Sequence, residues 1–264
     1  MIKVGVCGAC GKMGKEVVKN VLASSDMKLV AAIDIANAGQ NISEIAGFGD
    51  SDVKVMSDLK AAIVKTAPDV IVDFTQPASI FENAKICITN GVRPVIGTTG
   101  LSSDEIAELK RLSEEKNISV FIAPNFTTGA VLMMMFSKMA AKYFDNAEII
   151  ELHHNQKKDA PSGTAIKTAE MMCEANKSFA TGNCPEKETY AGARGANVMS
   201  DIRIHSVRMP GYIASQEVIF GASGQILKIR HDSMDRTCYM AGVNLAIRYV
   251  MENKNFTYGL DNIL

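Results

Sequence analysis

Short apolar runs alternate with longer amphipathic segments from residue 1 to about residue 125. The amphipathic segments repeat apolar residues along one stripe, as in Met13, Val17 and Val21, which predicts α-helices between the runs. Strands that are apolar along their length and are separated by helices indicate a parallel sheet covered on both faces. We therefore predict an α/β fold with a doubly wound parallel sheet. The predicted strands are IKVGVCG (2–8), KLVAAID (28–34), DVIVDFT (69–75), RPVIGTT (93–99) and ISVFIAP (118–124).

The pattern after Pro124 predicts a different architecture. Three strand candidates are separated by the turn signals PG and GASG, which favour an antiparallel meander. Such a sheet can leave one face open, and copies of the chain can pair through an open face. We expect an α+β domain with an open mixed sheet. The predicted elements of this half are a long apolar helix (127–144), a strand (147–154), a helix (162–176), a long loop (177–200), three strands (201–209, 212–221 and 225–231) and a final helix (235–252).

The composition is that of a globular protein, because 47% of the 264 residues are hydrophobic and 22% are charged. The formal net charge of −1 offers no chain-wide basic field, so we expect neither nucleic acid nor a membrane surface as a partner. The apolar run at the N-terminus is too short for a signal peptide, which favours a cytoplasmic protein. The six scattered cysteines are expected to be reduced thiols: Cys7, Cys10, Cys87, Cys173, Cys184 and Cys238.

A glycine-rich turn joins the first predicted strand to the first predicted helix. In VGVCGACGKMG, Gly8, Gly11 and Gly14 recur at every third position, which allows a tight turn and close approach of the backbone to a pyrophosphate. Asp34 ends the second predicted strand, where a carboxylate can accept hydrogen bonds from ribose hydroxyls. The alternative is an ordinary strand-to-helix turn with an incidental acid. The combination predicts a Rossmann-like dinucleotide site.

The residues around Asp34 also bear on the choice of cofactor. The charge of Asp34 would repel a 2′-phosphate, and Ile35 follows it where a cation could neutralise that phosphate. Lys12, in the glycine loop, is the nearby cation that could offset this repulsion. NADH is therefore favoured over NADPH.

Cys7 and Cys10 form a C-x-x-C pair within the same turn. A zinc site would need further cysteines or histidines at suitable spacing, and none follows nearby in the sequence. Packing is therefore favoured over a redox or zinc role.

Two further stretches follow predicted strands, at the edge of an α/β sheet where ligands bind. They are DFTQPAS, around Phe74 and Thr75, and IGTTG, from Gly97 to Thr99. Both could line a nicotinamide ring, and plain turn chemistry at strand ends explains them equally well.

ELHHNQKKDAPSGTA (151–165) combines histidines, lysines and a helix start. His153 and His154 are adjacent, so in a strand they point to opposite faces and chelate a metal poorly. Ser162 is a candidate N-cap, and the N–H groups of the helix turn after it attract an anion such as a carboxylate, with Lys157 and Lys158 nearby. An imidazole is well suited to move a proton near neutral pH. The stretch predicts an anion-binding helix start beside a proton donor. The alternative is a charged, solvated turn.

These motifs together resemble the 4-hydroxy-tetrahydrodipicolinate reductase (dihydrodipicolinate reductase) family, NAD(P)H enzymes of the diaminopimelate route of lysine biosynthesis in bacteria and plants. The family hallmark E-x-H-H-x-x-K-x-D-A-P-S-G-T-A stands here as ELHHNQKKDAPSGTA. Other family markers stand as GACGKMG, DFTQPAS, IGTTG, APNFTTGA and IRHDSMDR, so the resemblance covers essentially the whole chain. It implies reduction of a small cyclic, unsaturated dicarboxylate to tetrahydrodipicolinate with NADH or NADPH as hydride donor.

The resemblance also implies roles for the residues that match the family motifs. His153 would be the proton donor and Lys157 the second catalytic residue, while His154, Gly163 and Thr164 would bind the substrate. No metal is implied. The implied cofactor contacts are Gly8, Ala9, Cys10, Gly11, Lys12, Met13, Asp34, Gly97, Thr98, Thr99, Ala123, Pro124, Asn125 and Phe126.

The family pattern further implies how the two halves are used. The end of the chain returns to the nucleotide-binding half, so residues 1–125 with 235–264 would form a dinucleotide-binding domain. Residues 126–234 would form a substrate-binding domain whose sheet builds a homotetramer. This chain departs from the pattern at Ile35, where many members have an arginine, and at Gln216, where many have a histidine. The first departure again favours NADH.

Two other functions compete with this interpretation. Another two-domain NAD(P)-dependent amino-acid oxidoreductase would carry the same glycine turn, because that turn does not select a substrate. A nucleotide-sensing protein without catalysis would need only the first half. The hallmark, with His153 and Lys157 both present, favours the reductase.

Overall fold

The computed structural model describes residues 1–180 and 187–264. Clustering of contacts separates the chain into two compact units, Met1–Thr128 with Arg236–Leu264 and Gly129–Asp235. None of the helices in the described ranges combines the length and the apolar character needed to cross a membrane.

The first unit is built on a seven-stranded sheet. Its strands are β1 (Ile2–Cys7), β2 (Met27–Ile33), β3 (Val55–Met56), β4 (Val70–Asp73), β5 (Arg93–Ile96), β6 (Val120–Ile122) and β12 (Phe256–Tyr258). They pair in parallel in the order β12-β6-β5-β4-β1-β2-β3, which confirms the predicted doubly wound sheet. The order reverses between β1 and β4, so the carboxyl ends of these strands flank a crevice. The short strands β3 and β12 were not among the predicted elements.

Helices cover both faces of this sheet. They are α1 (Lys12–Ala23), α2 (Ile42–Ala46), α3 (Leu59–Thr66), α4 (Pro77–Thr89), α5 (Ser103–Lys116) and α8 (Met240–Glu252). α1 buries the predicted stripe, including Val17 and Val21. α5 begins with a reciprocal capping box between Ser102 and Glu105, which satisfies two backbone N–H groups at the helix start.

The end of the chain completes the first unit. α8 packs on β4, β5 and β6, and β12 adds a parallel strand beside β6. The predicted stripe of α8 is buried, at Met240, Val243, Ile247 and Val250. The helix begins later than predicted, because Arg236–Tyr239 forms a 3₁₀ turn before the α-helix starts. Close packing explains Gly242: a Cβ there would overlap the carbonyl oxygen of Phe126.

The second unit contains a five-stranded sheet and two helices. The helices are α6 (Thr128–Ala140), which continues as a 3₁₀ turn (Ala141–Tyr143), and α7 (Gly163–Ala175). The strands are β7 (Asn146–His153), β8 (Ala196–Met199), β9 (Ile202–Arg208), β10 (Ala214–Ala222) and β11 (Gln225–Ser233). Their order is β11-β10-β7-β9-β8, with β7 and β9 parallel and the other pairs antiparallel, which confirms the predicted mixed sheet.

The predicted antiparallel meander of three strands is wrong. β10 and β11 form a hairpin, but β7 lies between β9 and β10. The turn signal Pro210-Gly211 marks a connection and does not say which strands it brings together. β7 pairs with β10 on one edge and with β9 on the other, so its backbone groups are satisfied on both sides.

The predicted loop over residues 177–200 is also wrong in part, because Ala196–Met199 forms β8 against β9. The alternation of polar and apolar residues is weak in this four-residue edge strand, which hides it in the sequence. Thr181 to Glu186, which include Cys184 and part of the predicted loop, lie outside the described residues.

The two faces of the second sheet differ. α7 covers one face, where Ala165, Ala169 and Met172 pack with Ile149 and Phe220. The opposite face keeps part of its apolar surface exposed, at Ile150, Leu152 and Ile219.

We predict that Gly242→Ala lowers the free energy of unfolding of the first unit by about 1 to 3 kcal/mol, because the added methyl group collides with backbone. Urea titrations measure this change. The matched control is Gly221→Ala, where the added Cβ meets no atom within 4 Å. Equal stability of the two variants would contradict the close packing of α8.

Candidate active site

The glycine turn between β1 and α1 is shaped by backbone contacts. Gly8 has φ of +73°, and a Cβ there would lie 2.5 Å from the carbonyl oxygen of Phe74, at the end of β4. A Cβ on Gly14 would overlap the carbonyl oxygen of Gly8. Gly11 is exposed and serves as the N-cap of α1 without any side-chain cap. The first-turn N–H groups of α1 therefore have no side-chain cap, as the predicted pyrophosphate site requires.

Asp34 lies directly after β2 and faces the glycine turn. Its Oδ2 accepts a hydrogen bond from the backbone N–H of Cys10 at 2.9 Å, and its Oδ1 accepts one from Ala36 at 2.9 Å. Ile35 is 92% exposed. An acidic side chain therefore stands at the ribose end of the predicted site, followed by an apolar side chain in solvent.

Asp73, the last residue of β4, ties two of the predicted cofactor loops together. Its Oδ1 accepts hydrogen bonds from the N–H and the hydroxyl of Thr75, at 2.9 and 2.6 Å, and a longer one from the Thr98 hydroxyl, at 3.3 Å. Its Oδ2 accepts from the Asn83 amide at 2.8 Å. Burial raises the pKa of this carboxyl, and the bonds from Thr75, Asn83 and Thr98 oppose that effect without cancelling it.

An aromatic cluster supports the same edge of the sheet. Phe126 packs on Phe74 and Phe121, with ring centroids 5.8 and 5.9 Å away. Gly97 is required here, because a Cβ would overlap the Phe74 ring. The predicted contacts Ala9, Thr98, Ala123 and Phe126 are buried. Those with exposed or partly exposed surface are Gly8, Cys10, Gly11, Lys12, Met13, Asp34, Gly97, Thr99, Pro124 and Asn125.

The cysteines of the first unit have no ligand-like arrangement. Cys7 and Cys87 are buried, and burial raises the pKa of both thiols, with Asp73 adding to the effect. The cysteines in the described ranges are free thiols: Cys7, Cys10, Cys87, Cys173 and Cys238. Within those ranges, the acidic, histidine and cysteine side chains form no cluster that could hold a metal ion.

In the second unit, Glu151 and His153 lie on the same face of β7, two residues apart. Nδ1 of His153 is 2.5 Å from Oε2 of Glu151, whose side chain is completely buried. Arg208, the last residue of β9, donates to both oxygens of this carboxylate, at 2.8 and 2.7 Å. Burial alone would raise the pKa of Glu151, but hydrogen bonds from His153, Arg208 and Ser206 outweigh it and lower the pKa to about 2.

Lys157 lies in the loop after β7. Its ammonium group is 2.8 Å from each carboxylate oxygen of Asp159, and its side chain is 20% exposed. His154 lies just beyond the strand, where its Nδ1 accepts a hydrogen bond from the Gln156 N–H at 3.2 Å. The two histidines therefore differ in setting: His153 is held within the unit, and His154 is exposed.

The predicted helix start is confirmed. Ser162 caps α7 by accepting a hydrogen bond from the Ala165 N–H at 3.2 Å, and its own N–H donates to Glu151 at 3.2 Å. Gly163 and Thr164 follow in the first turn, where N–H groups have no partner within the helix. A Cβ on Gly163 would meet no atom within 4 Å, so an anion can approach this turn closely.

Sequence reasoning gave no role to Asp73, Glu151 or Arg208. The alternation of β7 does place Glu151 on the face of His153, so this partner could have been found. Arg208 could not, because it comes from a strand 57 residues further along the chain.

We predict that Glu151 stabilises the second unit mainly above pH 4.5. The pKa of its carboxyl is lowered in the folded state, so its contribution is present above the ordinary value of 4.5 and is lost as the pH falls toward about 2. The destabilisation caused by Glu151→Gln should therefore be about 2 kcal/mol smaller at pH 3 than at pH 6. Urea titrations at both pH values measure it, with Glu170→Gln as an exposed control. A destabilisation independent of pH would contradict the ionised, paired carboxylate.

Comparison with known proteins bears on both units. Residues 2–126 match the family model described as dihydrodipicolinate reductase, N-terminus, and residues 129–264 match that for the C-terminus. The 4-hydroxy-tetrahydrodipicolinate reductase of a Picosynechococcus species is 52% identical, over 100% of this chain and 98% of its own. That of Listeria monocytogenes is 51% identical over 100% of both chains.

Solved structures agree with these relatives. The dipicolinate-bound dihydrodipicolinate reductase of Paenisporosarcina sp. TG-14 matches with a TM-score of 0.91 and 48% identity, over 100% of both chains. An amine dehydrogenase of Mycobacterium smegmatis matches with a TM-score of 0.66 and 16% identity, over 96% of this chain and 93% of its own, which shows a shared fold alone. Because family models cover nearly every residue and relatives match along the whole length, the chain belongs to the dihydrodipicolinate reductase family.

Proposed function

We propose that the protein reduces 4-hydroxy-tetrahydrodipicolinate (dihydrodipicolinate) to tetrahydrodipicolinate, in the diaminopimelate route to lysine. The observation that carries this proposal is that a chain of this family keeps the hallmark ELHHNQKKDAPSGTA intact. The histidine, the lysine and the helix start of this hallmark all lie in the second unit. The dipicolinate bound to the Paenisporosarcina relative supports a small cyclic dicarboxylate as substrate.

His153 acts as the proton donor in this proposal. Hydride addition to the conjugated ring leaves negative charge that a proton must neutralise, and an imidazole can supply one near neutral pH. Lys157 is the second catalytic residue: its ammonium group stabilises the developing charge. The N–H groups of Gly163 and Thr164, together with His154, bind the substrate carboxylates at the start of α7.

The first unit binds the nicotinamide dinucleotide, which supplies the hydride. The turn from Gly8 to Met13 would hold its pyrophosphate, and Asp34 would hold its ribose. The loops at Gly97–Thr99 and Ala123–Phe126 complete the site at the carboxyl edge of the sheet. NADH is the preferred cofactor, because Asp34 is acidic and the side chain that follows it is the exposed, uncharged Ile35.

The protein works in the cytoplasm as a homotetramer, on this proposal. The partly exposed apolar side chains Ile150, Leu152 and Ile219, on the sheet face opposite α7, support assembly through that face. Analytical ultracentrifugation tests the tetramer.

The activity is tested by mixing the protein with enzymatically generated dihydrodipicolinate and following the absorbance of NADH. We expect oxidation that depends on the substrate. If neither NADH nor NADPH is oxidised, the proposed function is wrong.

We predict that His153→Gln lowers kcat by about 100- to 10,000-fold, because it removes the proton donor. The Kd for NADH should stay nearly unchanged, since that site lies in the first unit. Steady-state kinetics and fluorescence titration measure the two quantities. Unchanged turnover would assign the proton transfer to another group.

We predict that Asp34→Ala shifts the ratio of the KM values for NADH and NADPH by about tenfold or more toward NADPH, because it removes both a ribose acceptor and a negative charge. Asp34→Asn is the matched variant, since it keeps an acceptor for the Cys10 N–H. An unchanged preference in both variants would mean that Asp34 does not touch the ribose.

A further inference from the structure

We propose that Glu151 and Arg208 are positioning residues that hold His153 with its Nδ1 protonated and turned into the protein, so that Nε2 is the nitrogen that transfers the proton. This inference rests on the proposed function, and it adds two residues and one specific atom to it.

Because Glu151 can only accept hydrogen bonds, it fixes the tautomer and the orientation of the His153 ring. An ionised carboxylate only accepts, so the contact of 2.5 Å between Oε2 and Nδ1 requires the hydrogen to be on Nδ1. In a neutral imidazole the other nitrogen, Nε2, is then an acceptor, and it becomes the acid once the ring is doubly protonated. The strand places both side chains on one face, beside the start of α7.

Arg208 keeps that carboxylate ionised. A buried glutamate without a counter-charge takes up a proton and would then compete as a donor. The guanidinium fork of Arg208 contacts both oxygens, and the N–H of Ser162 adds a third bond at 3.2 Å. The guanidinium neutralises the carboxylate, and Oε2 accepts from both Arg208 and Nδ1 of His153.

Arg208 also reaches the loop that carries Lys157. It donates to the carbonyl oxygen of Asp159 at 2.8 Å, and the carboxylate of Asp159 holds the Lys157 ammonium. Arg208 therefore supports both proposed catalytic side chains, His153 through Glu151 and Lys157 through Asp159.

A second Glu–His pair, between β7 and β9, provides an internal reference. On the opposite face of β7, Oε2 of Glu148 lies 2.7 Å from Nε2 of His205, and Arg194 donates to its Oε1 at 2.6 Å. The carboxylate here contacts Nε2 and not Nδ1. The same argument gives His205 the opposite tautomer.

The tautomers are read directly from the full-length protein labelled with ¹⁵N-histidine. Two-bond ¹H–¹⁵N spectra at pH 9, above the usual titration range of imidazole, identify which nitrogen carries the hydrogen. We expect Nδ1–H for His153 and Nε2–H for His205, each assigned by its own His→Gln variant. Nε2–H at His153 in the wild-type protein would overturn the inference.

Kinetics separate positioning from a purely structural ion pair. Glu151→Gln and Arg208→Met should each lower kcat by about 10- to 100-fold while the KM for NADH changes less than about twofold. Glu151→Leu, which has no acceptor, should also remove the Nδ1–H signature at His153 and leave His205 unchanged. The matched control is Glu174→Gln, which breaks the ion pair with Lys138 elsewhere in the same unit and should keep full turnover.

Two conservative variants keep the test decisive if Glu151→Gln or Arg208→Met fails to fold. Glu151→Asp keeps the negative charge but shortens the side chain by one methylene. Arg208→Lys keeps the positive charge but lacks the bidentate fork. Each should have a higher kcat than Glu151→Gln or Arg208→Met. Wild-type kcat in a folded Glu151→Gln variant, or an unchanged His153 tautomer in a folded Glu151→Leu variant, would overturn the positioning role. An inactive wild-type protein would instead overturn the proposed function, and the tautomer measurement would still test the placement of the ring.

Discussion

A buried carboxylate must be compensated by partners where it lies, and in the described part of the chain each unit has one such carboxylate near the end of a central strand. Asp73 is the last residue of β4 and accepts hydrogen bonds from Thr75, Asn83 and Thr98. Glu151 lies near the end of β7 and accepts hydrogen bonds from His153 and Arg208. In both units the loops proposed to bind ligands are tied together by one buried acid.

The two acids differ in the kind of partner they have, and this shifts their pKa values in opposite directions. Asp73 accepts hydrogen bonds from neutral donors, which do not offset the cost of burial, so its pKa is raised. Glu151 accepts hydrogen bonds from His153 and from the guanidinium of Arg208, which outweigh its burial and lower its pKa to about 2. The first acid acts as a hydrogen-bonding hub within the fold, whereas the second is a fixed negative charge beside an imidazole.

Local signals explain what could be predicted from the sequence. The glycine turn, the strands of the first sheet, the Ser162 cap and the end of β7 at His153 depend on residues close together in the chain. The position of β7 between β9 and β10 depends on pairing between distant segments, and so does the Arg208 contact. Neither leaves a periodic pattern, which is why the meander was wrong and Arg208 had no predicted role.

The return of the chain to the first unit has a consequence for the order of folding during synthesis. α8 fills space on β4, β5 and β6, and β12 extends the sheet at its far edge, yet both are made after the whole of the second unit. The second unit is continuous in sequence and is complete once Asp235 has left the ribosome. The inserted unit can therefore fold first, while the surface of β4, β5 and β6 that α8 covers stays exposed until Met240–Glu252 has emerged.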